Sequence, residues 1–423
     1  MKKRILALLM AAAMMFALAA CSNQSGETSD PPAGESTPAS EPAGEEPGGE
    51  TEGNVLKLGA LLNTTGWFAS IDYNNQIEMQ TLVDYLNEQG GIEIGGETYT
   101  LELVVEDGGS DVEGIRSAAQ RLVDAGIKYV IETNDFWVEG AVDIFESAGV
   151  INVMTQNNMN YNAINEDLKY SFNFSNSCTS LYATAVQVLA ENYPEATKLV
   201  YACDDNGVND EQAALVKAAC EQYGLEYVDS PVIYDGETTD FSSIALRIAG
   251  TGADAFIGNG TPDNIAAILK ELRNSGSDMV GCAVITMMPN TFVAGSGLND
   301  LSNAFSLPLN DVNDTANNTE MFNTIYSRFV ETYGEDSATA WSGASLDNLY
   351  TLLQLMQDAG SVDVDEVCAY IDSAETVETL FGTGTICGEE TFGVAHCVAH
   401  NVVGVKLENG ENVNMGSYES IAP

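Results

Sequence analysis

The residues of this chain that could do chemistry begin with His396-Cys397-Val398-Ala399-His400 and Cys387 upstream, since histidine and cysteine are the ligands zinc favours. The run reads as a strand, and in a strand His396 and His400 share a face but stand about 13 Å apart at ~3.3 Å per residue, too far for one ion. No metal site is expected. Asp204-Asp205-Asn206-Gly207-Val208-Asn209-Asp210 has the oxygen-rich look of a calcium loop, but the twelfth position from Asp204 is Leu215, where a bidentate glutamate is needed. A strand-end loop capping the next helix is expected instead.

Catalytic constellations are missing. There is no Gly-x-Ser-x-Gly elbow, no phosphate-binding loop with Lys-Ser or Lys-Thr, and no dinucleotide fingerprint. Both histidines lie in the tail, so Ser–His–Asp or Cys–His chemistry has few players. Neither catalysis nor a cofactor is expected. What remains is a polar and aromatic set: Trp67 and Phe68; Asn134, Asp135, Phe136 and Trp137; Thr155, Asn157 and Asn158; then Asn206 and Gly207, Asn259 and Thr261, Thr286 and Met287. Aromatic walls with a few hydrogen-bonding groups are the usual makings of a small-molecule pocket.

These residues follow apolar strands. Val55 to Leu62 is a buried strand running into Asn63-Thr64-Thr65-Gly66, after which Met79, Leu82, Val83 and Leu86 give a helix one apolar face and Gln89-Gly90-Gly91 stops it. The pattern continues with strand 99–105, helix 112–125, strand 128–131, helix 137–147 and strand 151–154. Such alternation predicts a parallel sheet with helices on both faces, and ligands of open parallel sheets sit at the carboxyl ends of the strands. Lys169 to Ser177 reads as a crossing segment, and a second alternating set runs from Tyr182 to Thr286. A second crossing is expected near Phe305 to Leu309, then helices 319–333, 340–359 and 364–372, with a hairpin at Glu408-Asn409-Gly410-Glu411 to end.

Composition narrows the partners. Met1 to Ala20 carries Lys2, Lys3 and Arg4 and then an apolar run, a secretory signal too short to be a stable membrane span. Without it the chain has 12 basic against 63 acidic residues, a net charge of −51, which argues against nucleic acid or anionic lipid as a partner. Ser22 to Asn54 is rich in Gly, Pro, Ser and Glu, contains no Lys or Arg, and reads as a disordered tether. The 369 residues from Val55 exceed one core, so two lobes are expected. Cys178, Cys203, Cys220, Cys282, Cys368, Cys387 and Cys397 are odd in number and scattered, which favours buried free thiols, with a Cys387–Cys397 bridge between neighbouring strands as the alternative.

Leu18-Ala19-Ala20-Cys21 resembles the bacterial lipobox, which implies acylation of Cys21 and a lipid anchor on the extracytoplasmic face of the cell membrane. The folded body resembles the type I periplasmic solute-binding proteins of the leucine/isoleucine/valine-binding family, which serve ATP-driven (ABC) importers. The resemblance covers Val55 to Gly410 and is carried by Lys57-Leu58-Gly59-Ala60 with Thr65-Gly66; Leu86-Asn87-Glu88-Gln89-Gly90-Gly91-Ile92; Gly126-Ile127-Lys128-Tyr129-Val130-Ile131; Asp240-Phe241-Ser242-Ser243; and Gly384-Thr385 ahead of Leu407-Glu408-Asn409-Gly410. It implies an α/β fold of two Rossmann-like lobes with parallel sheets, joined by crossings at 172–177, 305–309 and 380–384. Lobe I would then be 55–174 with 308–382, and lobe II 175–307 with 383–423. It further implies a monomer working with a membrane permease, and a ligand carboxylate held at Asn134–Trp137 and Thr155–Met159. The family's ammonium-pairing acid falls at Thr286, and a second-lobe tyrosine falls at Val208. An uncharged or cationic polar solute, such as an amide or modified amino acid, therefore fits better than a branched-chain amino acid. The alternatives are a ligand-sensing module for a membrane receptor and a surface hydrolase.

Overall fold

The structure, a computed structural model, describes residues 54–133, 137–155, 163–176, 178–205, 209–236, 238–260, 262–285, 297–298, 303–308, 312, 318–334, 342–408 and 411–419. The chain opens with strand β1 (Asn54–Leu62), helix α1 (Ala69–Glu88), β2 (Ile92–Ile94), β3 (Glu97–Asp107), α2 (Val112–Asp124), β4 (Tyr129–Glu132), α3 (Val142–Ala148), β5 (Ile151–Met154) and β6 (Ser171–Asn173). It continues with α4 (Cys178–Asn192), β7 (Lys198–Asp204), α5 (Asn209–Tyr223), β8 (Glu226–Tyr227), β9 (Val232–Tyr234), α6 (Ser242–Gly250), β10 (Ala255–Asn259), α7 (Pro262–Asn274), β11 (Val280–Ile285) and β12 (Ala304–Pro308). The last third holds α8 (Glu320–Tyr333), α9 (Ala344–Ala359), α10 (Val364–Ile371), β13 (Thr376–Thr379), β14 (Gly382–Cys387), α11 (Glu389–Phe392), β15 (Cys397–Ala399), β16 (Val402–Glu408) and β17 (Glu411–Tyr418).

The strands form two sheets, β13-β14-β15-β6-β5-β4-β1-β3-β2 and β17-β16-β12-β11-β10-β7-β8, with β9 also paired to β7. Each is the centre of a three-layer lobe. Leu56, Leu58, Ala60 and Leu62 of β1 alternate onto the face covered by α1, α8, α9 and α10, while Leu61 faces α2 and α3. The second sheet is covered by α4 and α5 on one side and by α6 and α7 on the other. Two lobes built on largely parallel sheets are what the alternating sequence predicts.

The parallel strands of both sheets follow one order. In the first sheet β3-β1-β4-β5-β6 run parallel, and in the second β8 and β9 share one edge of β7, whose other edge is followed by β10, β11 and β12. In each, the chain winds outward in both directions from its first strand. The gap between the first and third strands, β1 and β4 or β7 and β10, is the switch point where a crevice opens.

Three expectations about connections are corrected. Phe305 to Pro308 is no crossing: it lies in β12, paired in parallel with β11 and antiparallel with β16, and it is buried on both faces. Leu380 to Gly384 spans the tight turn and start of the β13–β14 hairpin, where Thr379 faces Gly382 and Gly382 takes φ +108°. The third crossing therefore falls between Ala399 and Val402, and residues 383–399 extend the first sheet instead of belonging to lobe II. Gly95-Gly96 also closes an antiparallel β2–β3 hairpin. The β16–β17 hairpin is present as expected, with Glu408 opposite Glu411.

Candidate functional site

The first switch point lies between the loops after β1 and β4. Its frame is a buried carboxylate: Asp72, in the first turn of α1, accepts from Asn63 N (2.6 Å), Asn63 Nδ2 (3.1 Å), Thr133 Oγ1 (2.9 Å) and Asn75 Nδ2 (3.1 Å). Burial outweighs these donors and raises its pKa to about 6. Asp72 thereby ties the β1 end to the β4 end. The β1 loop is further held by the β3 loop: Thr65 donates to Asp107 Oδ2 (2.6 Å), Ser110 Oγ donates to the Thr65 carbonyl (2.9 Å), and Phe68 N donates to Ser110 Oγ (3.2 Å).

That loop presents Trp67 and Phe68 beside Trp137. The ring centroids are 5.2 Å apart for Trp67–Phe68, 5.7 Å for Trp67–Trp137 and 5.9 Å for Phe68–Trp137, with interplanar angles of 86°, 62° and 83°. Three rings at steep mutual angles make an aromatic corner. Its members differ in exposure. Trp67 is 67% exposed, whereas Phe68 is only 2% exposed and belongs to the hydrophobic cluster of the second sheet, with Leu181 and Tyr182 of α4. Phe68 is thus a contact between the lobes, and Trp137 packs against clusters of both.

Thr155 is drawn inward. Its N–H donates to Glu132 O (3.0 Å), its hydroxyl lies 3.1 Å from Ser345 Oγ, and Asn348 Nδ2 donates to it (3.1 Å), so the residue fastens β5 to α9. Asn134, Asp135, Phe136, Asn157, Asn158, Asn206, Thr261 and Thr286 lie outside the described residues, as does Cys21.

Several residues that spacing did not single out hold the crossings. Ser175 Oγ donates to Asn348 Oδ1 (3.2 Å), Asn176 Nδ2 lies 3.3 Å from His400 Nδ1, and His400 Nε2 lies 3.8 Å from Asp347 Oδ2. Burial drives both partners of the last pair toward their neutral forms, Asp347 up to about 7 and His400 down to about 4. His396 instead reaches Ser171 O (3.0 Å) and Asp372 (3.3 Å), so the two histidines serve different neighbours. The signal for this group is polar residues at positions where a crossing segment should be apolar, Ser175 and Asn176 above all. The six cysteines whose side chains are described are free, and Cys387 stands directly opposite Cys397 across β14 and β15.

The second switch point collects Asp204, Tyr234 and Gly260. Asp204 and Tyr234 are register partners of β7 and β9, and Asn259 pairs beside Cys203. A cavity of about 450 Å³ opens beside them, at the ends of β7 and β9, lined by Asp205, Ile233, Tyr234, Asp235 and Gly236. Asn259 turns inward, donating to Tyr182 Oη (2.8 Å). The second switch point thus sets a tyrosine hydroxyl, carboxylates and backbone groups beside a cavity of small-molecule size.

Comparison with known proteins agrees with this architecture. The periplasmic binding protein family matches residues 55–410. The branched-chain amino acid transporter substrate binding protein LivJ from Streptococcus pneumoniae, solved with isoleucine, is similar at 16% identity and TM-score 0.70, covering 88% of this chain and 100% of its own. A fatty acid ABC transporter substrate-binding protein from Thermomonospora curvata is similar at 16% identity and TM-score 0.69, covering 87% and 93%. An ABC transporter solute binding protein from Rhodopseudomonas palustris, solved with p-hydroxybenzoic acid, is similar at 20% identity and TM-score 0.69, covering 87% and 97%. No curated protein sequence matches the chain. At these identities the structures speak to the fold alone, which is that of ABC transporter substrate-binding proteins. By its match over most of its length, the chain belongs to the periplasmic binding protein family.

Proposed function

We propose that the protein is an extracytoplasmic solute-binding lipoprotein, anchored through Cys21, that captures a small polar nitrogenous solute between two closing lobes and delivers it to an ABC permease. The observation that carries the reading is the seating of Phe68, from a first-lobe strand-end loop, in the second lobe's core. A solute can shift an opening equilibrium only by touching both sides, and this loop already reaches across. Trp67 and Trp137 are the aromatic wall, with Asn134, Asp135, Phe136, Asn157, Asn158, Asn206, Thr261 and Thr286 as further ligand contacts. Thr155 acts by positioning β5.

A thermal-shift screen of the full chain against amino acids, amides, ureas, nucleosides and amines tests the reading. At a thousand times its Kd a ligand stabilises the bound form by about 4 kcal/mol. One chemical class of hits is the expected result. A flat response from folded protein freed of endogenous ligand overturns it.

A further inference from the structure

We propose that Asp204, Tyr234 and Gly260 form an ammonium-binding subsite at the second sheet's switch point, making the solute an organic amine; this rests on the solute-binding reading above. Tyr234 is 5% exposed, yet its hydroxyl has no hydrogen-bond partner among the described residues. A buried hydroxyl left unpaired costs roughly 1–3 kcal/mol, so a site that keeps one has a use for it. The position of that hydroxyl is informative. A Cβ added at Gly260 would meet Tyr234 Oη at 2.8 Å and Asp204 Oδ2 at 3.6 Å, so the two oxygens converge on a space kept open by a glycine with φ +152°. An ammonium, with three donors and no acceptor, matches a carboxylate and a hydroxyl oxygen that both accept.

Charge around the crevice points the same way. The stretches of sequence that follow the parallel strands, residues 63–68, 108–111, 133–137, 155–170, 205–208, 235–241, 260–261, 286–303 and 309–319, contain no arginine or histidine and a single lysine, Lys169, which is paired with Asp365. In the first lobe Arg121 of α2 reaches the Asp107 carbonyl, but its charge is taken by Glu106. A carboxylate solute would find in these stretches only a lysine already paired with an aspartate, while Asp204, Asp205 and Asp235 favour a positive one. Burial also raises the Asp204 carboxyl above its usual range, a penalty that a cation beside it would relieve. In the first lobe the exposed Trp67 ring suits the same solute, since aromatic faces attract ammonium groups.

The test is calorimetric titration of the full chain with butylamine, cadaverine, phenethylamine and agmatine, each beside the carboxylate and alcohol of the same skeleton. Binding by at least one amine, and by none of the carboxylates, is expected. Asp204→Asn should then raise Kd at least tenfold, Tyr234→Phe should raise it several-fold, and the surface change Asp229→Asn should alter it little. The two site replacements keep the shape of the side chain nearly unchanged, and equal Tm values for variant and parent certify the fold. Binding confined to carboxylates or alcohols, or amine affinity unmoved by Asp204→Asn, overturns the subsite while leaving the solute-binding reading standing. Silence from every compound here and in the broader screen removes both.

Discussion

Two adjacent aromatic residues have opposite surroundings. Trp67 is exposed and Phe68 is enclosed by the second lobe's core, although the sequence presents them as one aromatic pair in a loop. Loops lack the periodicity that assigns faces in helices and strands, so the place of the pair after a strand was legible but the burial of each ring was not. The contrast makes a prediction. Phe68→Ala should destabilise the protein by about 3 kcal/mol, as expected for removal of an enclosed ring, and urea unfolding would measure it. Trp67→Ala should leave unfolding within about 0.5 kcal/mol but weaken solute binding at least tenfold in titration. Equal stability losses for both variants would show that Phe68 is not holding the lobes together.

Between elements, polar residues do what an apolar reading of the sequence assigns to packing. Helix α9 is buried along most of its length, with Ser345, Asp347, Asn348 and Thr351 enclosed beside Leu346, Leu349, Leu352 and Leu353. An enclosed helix has no polar face to find, which is why the sequence signalled the helix and not its role as the peg between crossings. The two misplaced crossings have similar causes. A buried interior strand, Phe305 to Pro308, resembles an apolar linker, and a glycine turn at Gly382 resembles a chain exit. The strands and helices themselves were legible, because alternating apolar patterns with glycine stops admit few other readings. The peg can be tested at Asn348, which donates to Met154 O (3.1 Å) and Thr155 Oγ1 and accepts from Ser175 Oγ. Asn348→Ala strands buried groups on β5 and on the first crossing, and a loss of about 2–4 kcal/mol is expected in urea unfolding. A loss under 1 kcal/mol would show that the crossings are held elsewhere.

Across the whole molecule, buried carboxyls set how stability responds to pH. Asp72 is raised to about 6, Glu78 to about 7 and Asp347 to about 7, in each case chiefly because burial disfavours the charged form. Between about pH 4 and pH 7 the folded chain therefore keeps protons that the unfolded chain has released. Stability must fall as pH rises through that window. His400, lowered to about 4, and His396, also lowered by burial, act oppositely, since the unfolded state binds their protons more readily below about pH 6.5. These three carboxyls, with Asp204 also raised by burial, outnumber the two imidazoles, so the net excess of protons, on the order of one, lies on the folded side. At about 1.4 kcal/mol per proton per pH unit, stability should drop by roughly 2 kcal/mol between pH 5 and pH 7.5. Thermal unfolding followed by circular dichroism at half-unit steps would show Tm declining over this range. Asp347→Asn removes one of the three titrating groups and should flatten the decline, while a surface change such as Asp229→Asn should not. A Tm that rises steadily from pH 5 to pH 7.5 would mean that the imidazoles outweigh the carboxyls and that the lobes are held by ionised groups, not neutral ones.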